Sequence, residues 1–455
     1  GYESSVAVPQ GPSIRTATRI ANPKSNSTSM TAMNNAPSDQ PAACIGWDWG
    51  HTNHAIALRE TGSQEVDNLK LAATPEALHE WLNQTEARFG GRLVAVALEG
   101  SKGPVFSQLQ ERPWIRIYGV HPATATRVRK AFTPSGAKDD RPDALVLLDL
   151  VENSRHKLRP LFVLDAATAK VEQLSVMRRD MVDRRTQLTN QMDSLLKQYF
   201  PQALELVGEN MHGELALEFL KRWPSLVELK GSRAETIKRF YYQHNVRSES
   251  VVEKRLKLVA DAKFVMQDQQ RSELWKMNLA SLVELVRVAN KHLELVEKEL
   301  AGAVKVHPDA GIFTELPGAG PVFAARLLAA FGEDRGRYES AESLQKLSGV
   351  APVMERSGKS CVVRWRYLAP QFLRQTFVEW ARCTVQTSTW AAAYYEQQRG
   401  RGKGNWAIYR SLAYKWIRIL WRCWQDRKPY NETEYLKALE RRNSPLGKRL
   451  KIMAA

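Results

Sequence analysis

The chain has 455 residues, 43% of them apolar and 25% charged, and its 66 Lys+Arg against 49 Asp+Glu give a formal net charge of +17. That length holds two or three domains with ample core, and the ordinary apolar share excludes a fibrous or wholly disordered chain. No run approaches the ~20 apolar residues of a membrane span, and the cation excess points to a polyanionic partner, most often nucleic acid.

Much of the excess is local. Residues 399–455 carry 15 Lys+Arg and 4 Asp+Glu, a net of +11, interleaved with aromatics. A solvated basic helix is the plainer alternative to a nucleic-acid contact. Cys44, Cys361, Cys383 and Cys423 are far apart and form no CxxC pair. With no signal peptide, they read as free thiols of a soluble cytoplasmic protein.

Residues 1–42 are rich in Ser, Thr, Asn, Pro and Ala without apolar period, which predicts a disordered extension. Order is expected from Cys44. CIGWDWGHTNHAIALRE (44–60) reads as strand, Gly turn and strand. LVAVALEG (93–100) and WIRIYGVHP (114–122) read as two further strands. Between them Leu78, Trp81, Leu82 and Ala87 have helical spacing behind a Thr74 cap. Strands interspersed with helices make residues 43–160 an α/β domain.

From Asp165 long helices follow. Leu174, Met181, Leu188 and Leu195 recur every seven residues, and Arg178 and Arg185 stand in the companion seam, which fits equally a face toward nucleic acid or a carboxylate and a simple drift of register. A second seam runs Leu282, Val286, Ala289, Leu293, Val296, Leu300. Residues 161–308 therefore read as a helical hairpin or coiled-coil linker. Residues 309–455 read as a third, mostly helical unit. In it LPGAGPVFAARLLAAFG (316–332) fits two patterns equally: a helix-hairpin-helix turn, with Gly318 and Gly320 bringing backbone N–H groups to a DNA phosphate, or a tight glycine turn between packed helices.

Two constellations carry chemistry. Asp48 follows the strand CIGW, Glu99 ends LVAVAL, and KDDRPDALVLLDL places Asp140 and Asp143 three apart at a helix start, on one face. Four acids brought together would repel one another without cations, so divalent metal binding is their natural joint use. Singly, each has a structural explanation as a turn cap, an ion-pair partner or a helix N-terminal acid. His51 and His54 beside Asp48 read as strand-end residues, one of which could line the site. The second constellation is SGVAPVMERSGKSCVVRWRYLAP (348–370). Here Ser357-Gly358 forms a turn among Arg356, Lys359, Arg364 and Arg366, with Trp365 and Tyr367 interleaved. A hydroxyl among cations suits attack on a phosphodiester, and Ser360 is a rival nucleophile.

In these stretches the chain resembles the transposases of bridge-RNA-guided insertion-sequence recombinases. The resemblance runs over about residues 44–430 and rests on GWDWGHTNHAIAL, ALEG, KDDRPDA, LPGAGPVFAARLLA, SGVAPVMERSG, AAYYEQQRGRGK and ILWRCWQDRKPY. Asp139 stands where the family commonly has Thr, and Pro142 between the paired acids departs from its pattern. The resemblance implies a RuvC/RNase H-like domain whose Asp48, Glu99, Asp140 and Asp143 hold Mg²⁺. It implies a C-terminal transposase domain whose Ser357 forms a covalent phosphoserine–DNA intermediate. It also implies a structured non-coding guide RNA, donor and target DNA, and a homodimer that becomes a tetramer on DNA. Lys138, Arg141, Gly318, Gly320, Arg356, Lys359, Arg364 and Arg366 are then the expected nucleic-acid contacts. Two other readings compete. One is a metal-dependent nuclease or junction resolvase using water as nucleophile, and the other is a non-catalytic nucleic-acid scaffold.

Overall fold

The structure is a computed structural model that describes residues 40–100, 103–132, 140–158, 160–161, 164–265, 269–358, 360–367 and 369–454. The chain divides into two compact units, residues 1–161 and 162–455. The reading of residues 1–42 as a disordered extension falls almost wholly outside the described residues, as do Lys138, Asp139 and Lys359.

The first unit runs β1 (Ala43–Asp48), β2 (Asn53–Glu60), β3 (Asp67–Ala72), α1 (Pro75–Phe89), β4 (Val94–Glu99), α2 (Pro104–Gln110), β5 (Ile115–Val120), α3 (Pro122–Phe132) and α4 (Asp140–Asn153). Its sheet has the order β3-β2-β1-β4-β5. β2 pairs antiparallel with β1 and β3, whereas β1, β4 and β5 run parallel. The C-terminal ends of β1, β4 and β5 therefore meet at one edge, where open α/β sheets place their ligands. Strands β1, β2, β4 and β5 lie where the sequence predicts them. β3 does not appear in the sequence reading, because it is a half-exposed edge strand whose only apolar alternation is Leu69 and Leu71. α1 begins as predicted: the Thr74 hydroxyl accepts from the Ala77 N–H at 3.3 Å, satisfying one of the donors that a helix start leaves open.

The pleat sorts the strands onto two faces. Ala43, Ile45, Trp47, Val94, Val96 and Leu98 join one core with Leu78, Trp81, Leu82 and Phe89 of α1. Cys44, Ala55, Ala57, Ala95 and Ala97 face Ala144, Leu147, Leu148 and Val151 of α4. Small side chains on the second face let α4 press onto the sheet. The approach is closest at Gly46, where an added Cβ would overlap the Ala144 carbonyl oxygen and the Leu148 amide nitrogen.

The second unit begins with α5 (Ala166–Tyr199), which packs against α11 (Gln269–Lys305). Their cross-links fix an antiparallel pair. Thr168 Oγ1 meets His307 Nε2 at 3.0 Å, Arg178 meets Glu297 at 2.7 Å, and Arg185 donates to Asn290 Oδ1 at 3.1 Å. The seam position held by Arg178 thus faces a carboxylate. Between the two helices, α6 (Gln202–Val207), α7 (Glu214–Arg222), α8 (Leu226–Lys230), α9 (Ala234–Gln243) and α10 (Glu249–Asp261) build a separate core with Met192, Leu196, Tyr199, Leu282 and Val286. At the other end of the pair, Val171, Leu300, Ala303 and Val304 enter the core of the C-terminal region.

That region holds α12 (Ala310–Thr314), α13 (Gly320–Phe331), α14 (Ala341–Leu347), β6 (Val353–Ser357), β7 (Ser360–Arg364), α15 (Gln371–Thr387), α16 (Thr389–Arg399), α17 (Asn405–Gln425), α18 (Glu432–Arg441) and α19 (Pro445–Ala454). Trp380, Trp390, Trp416 and Trp424 are fully buried in it. Each indole N–H donates to an acceptor: Pro317 O at 3.0 Å, Tyr430 Oη at 2.9 Å, Thr384 Oγ1 at 2.9 Å and Gly332 O at 2.7 Å respectively. An unpaired buried N–H would cost about 1–3 kcal/mol, so these bonds make the tryptophan core tenable. Trp416 and Trp424 of the basic tail's long helix are therefore core residues, whereas its Arg418 and Arg422 are exposed. Among the described residues, no helix is long and apolar enough to cross a membrane.

The Gly46 contact yields the first prediction. Gly46→Ala must push α4 off β1, and is expected to cost more than about 2 kcal/mol of stability. Urea unfolding followed by tryptophan fluorescence measures it, and an unchanged midpoint would show that helix and sheet tolerate separation.

Candidate functional site

Register brings two of the acidic residues side by side. Trp47 pairs with Leu98 across the parallel β1–β4 ladder, so the next residues, Asp48 and Glu99, end neighbouring strands roughly 4.8 Å apart. Both are half-buried. The pleat that sends Ala95 and Ala97 to the α4 face sends these two carboxylates there as well.

α4 runs antiparallel to β1 across that face. Early in β1, the Cys44 thiol lies beside Arg155 and Glu152, and burial raises its pKa. Arg59, opposite Cys44 on β2, pairs with Glu152. Gly46 meets Ala144 through Leu148. Asp48 is thereby carried toward the first turn of α4, which opens at Asp140 and contains Asp143. The side chains of Asp140, Arg141 and Pro142 lie outside the described residues. Asp143 is described: one Arg129 guanidinium nitrogen on α3 reaches both its oxygens, at 2.6 and 2.7 Å. The positive end of the helix dipole further offsets acids at this turn.

Sequence reasoning missed Arg129. It stands 14 residues before Asp143 in a run of basic residues, and nothing in that run marks one cation as the partner.

His54 lies apart from the acids. It shares the α1 face with Trp47, at 5.8 Å between ring centroids. Its burial lowers the imidazole pKa, and Nδ1 finds no partner among the described residues. It does not line the acidic face, whereas His51 is an exposed residue of the β1–β2 turn.

Among the described residues, no three His, Cys, Asp or Glu side chains already form a metal cage. The donor set nonetheless fits a divalent cation. It offers hard carboxylate oxygens on one face, and Arg129 supplies a positive charge to Asp143 where an ion would supply one.

In the C-terminal region, Ser357 ends β6 and pairs with Ser360 across the tip of a two-stranded hairpin. Both are exposed, and Gly358 turns the chain at φ +56°. An added Cβ there would meet nothing within 4 Å, so the tip is open on that side. The sequence gives a turn at this point but not the strands beside it, because all positions but Val353 are exposed and no apolar alternation marks them.

Register divides the expected basic ring. Ser357, Ser360, Glu355, Val362 and Arg364 share one face, and Met354, Arg356, Cys361 and Val363 share the other. Arg364 donates to Glu355 at 2.8 Å, so that cation already has an exposed partner. Arg366 follows the hairpin and is half-buried. Of the two glycines in LPGAGP, Gly318 (φ +67°) would press a Cβ against the Cys383 backbone and Thr387 of α15. That is the tight turn between packed helices. Gly320 (φ +52°) is exposed at the start of α13.

Comparisons with known proteins fall on these same two regions. Residues 45–201 match a family model of the IS110-type DEDD domain, described as a transposase. Residues 310–396 match the model described as transposase, IS116/IS110/IS902 family. The chain is 25% identical over 400 residues to the mini-circle transposase of IS117 from Streptomyces coelicolor, covering 87% of this chain and 96% of that one. It is 25% identical over 389 residues to the 43.6 kDa protein of insertion element IS110 from the same species, covering 84% and 94%. It is 23% identical over 390 residues to the 42 kDa protein of insertion element IS900 from Mycobacterium paratuberculosis, covering 85% and 96%.

The Arg129–Asp143 pair gives a direct test of the acidic face. Arg129→Gln removes the resident cation, and isothermal titration with Mn²⁺ or Mg²⁺ is expected to show tighter binding than in the unaltered chain. Unchanged or weaker binding would exclude Asp143 from the ion's coordination.

Proposed function

Because the chain belongs to the IS116/IS110/IS902 family of transposases, we propose that it moves DNA by serine-mediated strand exchange directed by a structured non-coding RNA. The observation that carries this reading is Ser357 at the open tip of an exposed hairpin, within the region that matches the family's second domain.

At that tip the Ser357 Oγ attacks a DNA phosphorus. An Oγ–P ester forms as one P–O bond to deoxyribose breaks. The hydroxyl proton leaves to solvent, and the departing sugar oxygen takes one up. A sugar hydroxyl of the second DNA then reverses the step, restoring a phosphodiester and freeing Ser357. The ester conserves the bond, so the exchange needs no external energy source. Ser360 faces the same side but sits across the turn. Arg364 shares that face and would turn from Glu355 to an incoming phosphate, a charge-assisted contact stronger than its exposed pair with a carboxylate. Arg356, on the opposite face, and Lys359 contact adjoining backbone.

Asp48, Glu99, Asp140 and Asp143 would hold Mg²⁺. Bound there, it supplies positive charge against the scissile phosphate and the oxygens on either side of it. The sheet order and its mixed pairing support reading this domain as RuvC-like. α4 carries Asp140 and Asp143, and Arg129 compensates the Asp143 carboxylate. The working assembly is a homodimer that joins into a tetramer on DNA, with the acids of one subunit serving the serine of another. The formal +17 charge supports binding to nucleic-acid backbone. Base pairing by the RNA then supplies sequence choice.

Incubation with Mg²⁺, the element's non-coding RNA and labelled donor and target DNA, followed by a denaturing gel, tests the reading. A protein–DNA adduct is expected that Ser357→Ala abolishes and Asp140→Ala reduces by at least about 100-fold. Cleaved DNA without adduct, untouched by Ser357→Ala and lost in Asp140→Ala, would replace this reading with a metal nuclease that uses water.

A further inference from the structure

Two aromatic stacks flank the first half of α17, and each ends in an exposed ring. In the first, Tyr367 lies on Trp365 with centroids 6.2 Å apart and planes 21° apart. Behind Trp365, the Arg410 guanidinium stands 3.5 Å from the indole centroid. Arg374 approaches the same ring at 5.9 Å and donates to the Tyr367 carbonyl at 3.1 Å. Tyr367 is thus the outer layer of a supported stack, yet it is 78% exposed. In the second, Trp406 sets its edge to Tyr409 at 5.9 Å, and Tyr409 stacks on Tyr395 at 5.7 Å and 14°. The Tyr395 hydroxyl is tied to Asn405 Oδ1 at 3.0 Å. Trp406 is 59% exposed. Trp406 and Arg410 are four residues apart on one helix, so they share a face. The two stacks therefore open onto neighbouring parts of one surface.

Beside Tyr395 stands one exposed carboxylate, Glu396, and the chain after it is basic. The loop entering α17 reads RGRGKG, and its Arg399, Arg401 and Lys403 are exposed, with no carboxylate partner among the described residues. An aromatic face held rigid at low entropic cost, beside unpaired cations, suits a ligand that is flat and apolar in one part and anionic in the next. Nucleotides combine the two. A duplex keeps its base faces stacked on one another, so only unpaired nucleotides can use such a surface.

Resting on the reading of this chain as a nucleic-acid recombinase, we propose that Tyr367 and Trp406 form a stacking platform for unpaired nucleotides, whose phosphates lie against Arg399, Arg401 and Lys403. Tyr367 follows β7 by three residues, so the platform stands at the foot of the hairpin that carries Ser357. A strand whose backbone reaches the tip would have its splayed bases held at the foot. The unpaired strand can be displaced DNA or a loop of RNA; both present the same base faces.

The test uses the full-length protein and fluorescence anisotropy with labelled oligothymidylate, oligouridylate and a DNA duplex, each about 20 nucleotides long. Tyr367→Ala and Trp406→Ala are each expected to weaken single-strand binding about tenfold and duplex binding by less than about twofold. Tyr367→Phe, which keeps the ring, is expected to bind as the unaltered chain does. A loss confined to oligothymidylate identifies displaced DNA as the ligand, and one confined to oligouridylate identifies RNA. Alanine variants that bind single strands unchanged, or lose duplex and single strands alike, would overturn the platform. The recombinase reading fails separately: the unaltered chain would form no serine adduct while the alanine variants still lost single-strand affinity.

Discussion

The contact between α4 and β1 at Gly46 is the constraint on which the acidic face depends. Strand ends alone deliver two carboxylates, Asp48 and Glu99, side by side in register. α4 crosses the same face and carries Asp143 in its first turn, toward the edge at which β1 ends. That crossing is possible because the sheet offers Gly46 and a floor of alanines, Ala55, Ala57, Ala95 and Ala97, where larger side chains would hold the helix away. The close approach also has an electrostatic effect. It aims the positive end of α4 at the acids and leaves Arg129 to compensate Asp143.

The second unit solves a different problem, the bracing of a long helix pair. α5 and α11 are 34 and 37 residues long, and helices of that length need tertiary packing along them. They find it by entering two cores, the α6–α10 bundle at one end and the tryptophan core at the other. Polar staples such as Arg178–Glu297 contribute less than about 1 kcal/mol each, so they fix register more than they add stability. Against this solid scaffold the β6–β7 hairpin is conspicuous for burying almost nothing. A two-stranded hairpin alone is marginal in water, and its presence makes most sense as a carrier for the residues at its tip.

Much of the architecture was legible in the sequence. The strands with continuous apolar runs, the capped helix at Thr74 and the change to long helices after Asp165 all follow from periodicity and caps. Asp48 and Glu99 were legible as strand-end acids, because each closes a continuous apolar run. β3, Arg129, the division of the basic ring and the aromatic stacks were not. Each depends on which residue faces which across a ladder or between helices, and local pattern carries no such pairing. The tail shows the point from the other side. Its alternating tryptophans and arginines read as one nucleic-acid surface, yet Trp416 and Trp424 are core, whereas Trp406, Arg418, Arg422 and the loop cations are exposed.

The central claim is that one hydroxyl at the hairpin tip becomes covalently joined to DNA. The most direct measurement is to trap the adduct, digest both polymers and locate the remaining nucleotide phosphate by tandem mass spectrometry of the peptide spanning residues 353–364. The account predicts the phosphate on Ser357. Its appearance on Ser360, on a residue outside the hairpin, or on no residue at all would contradict it.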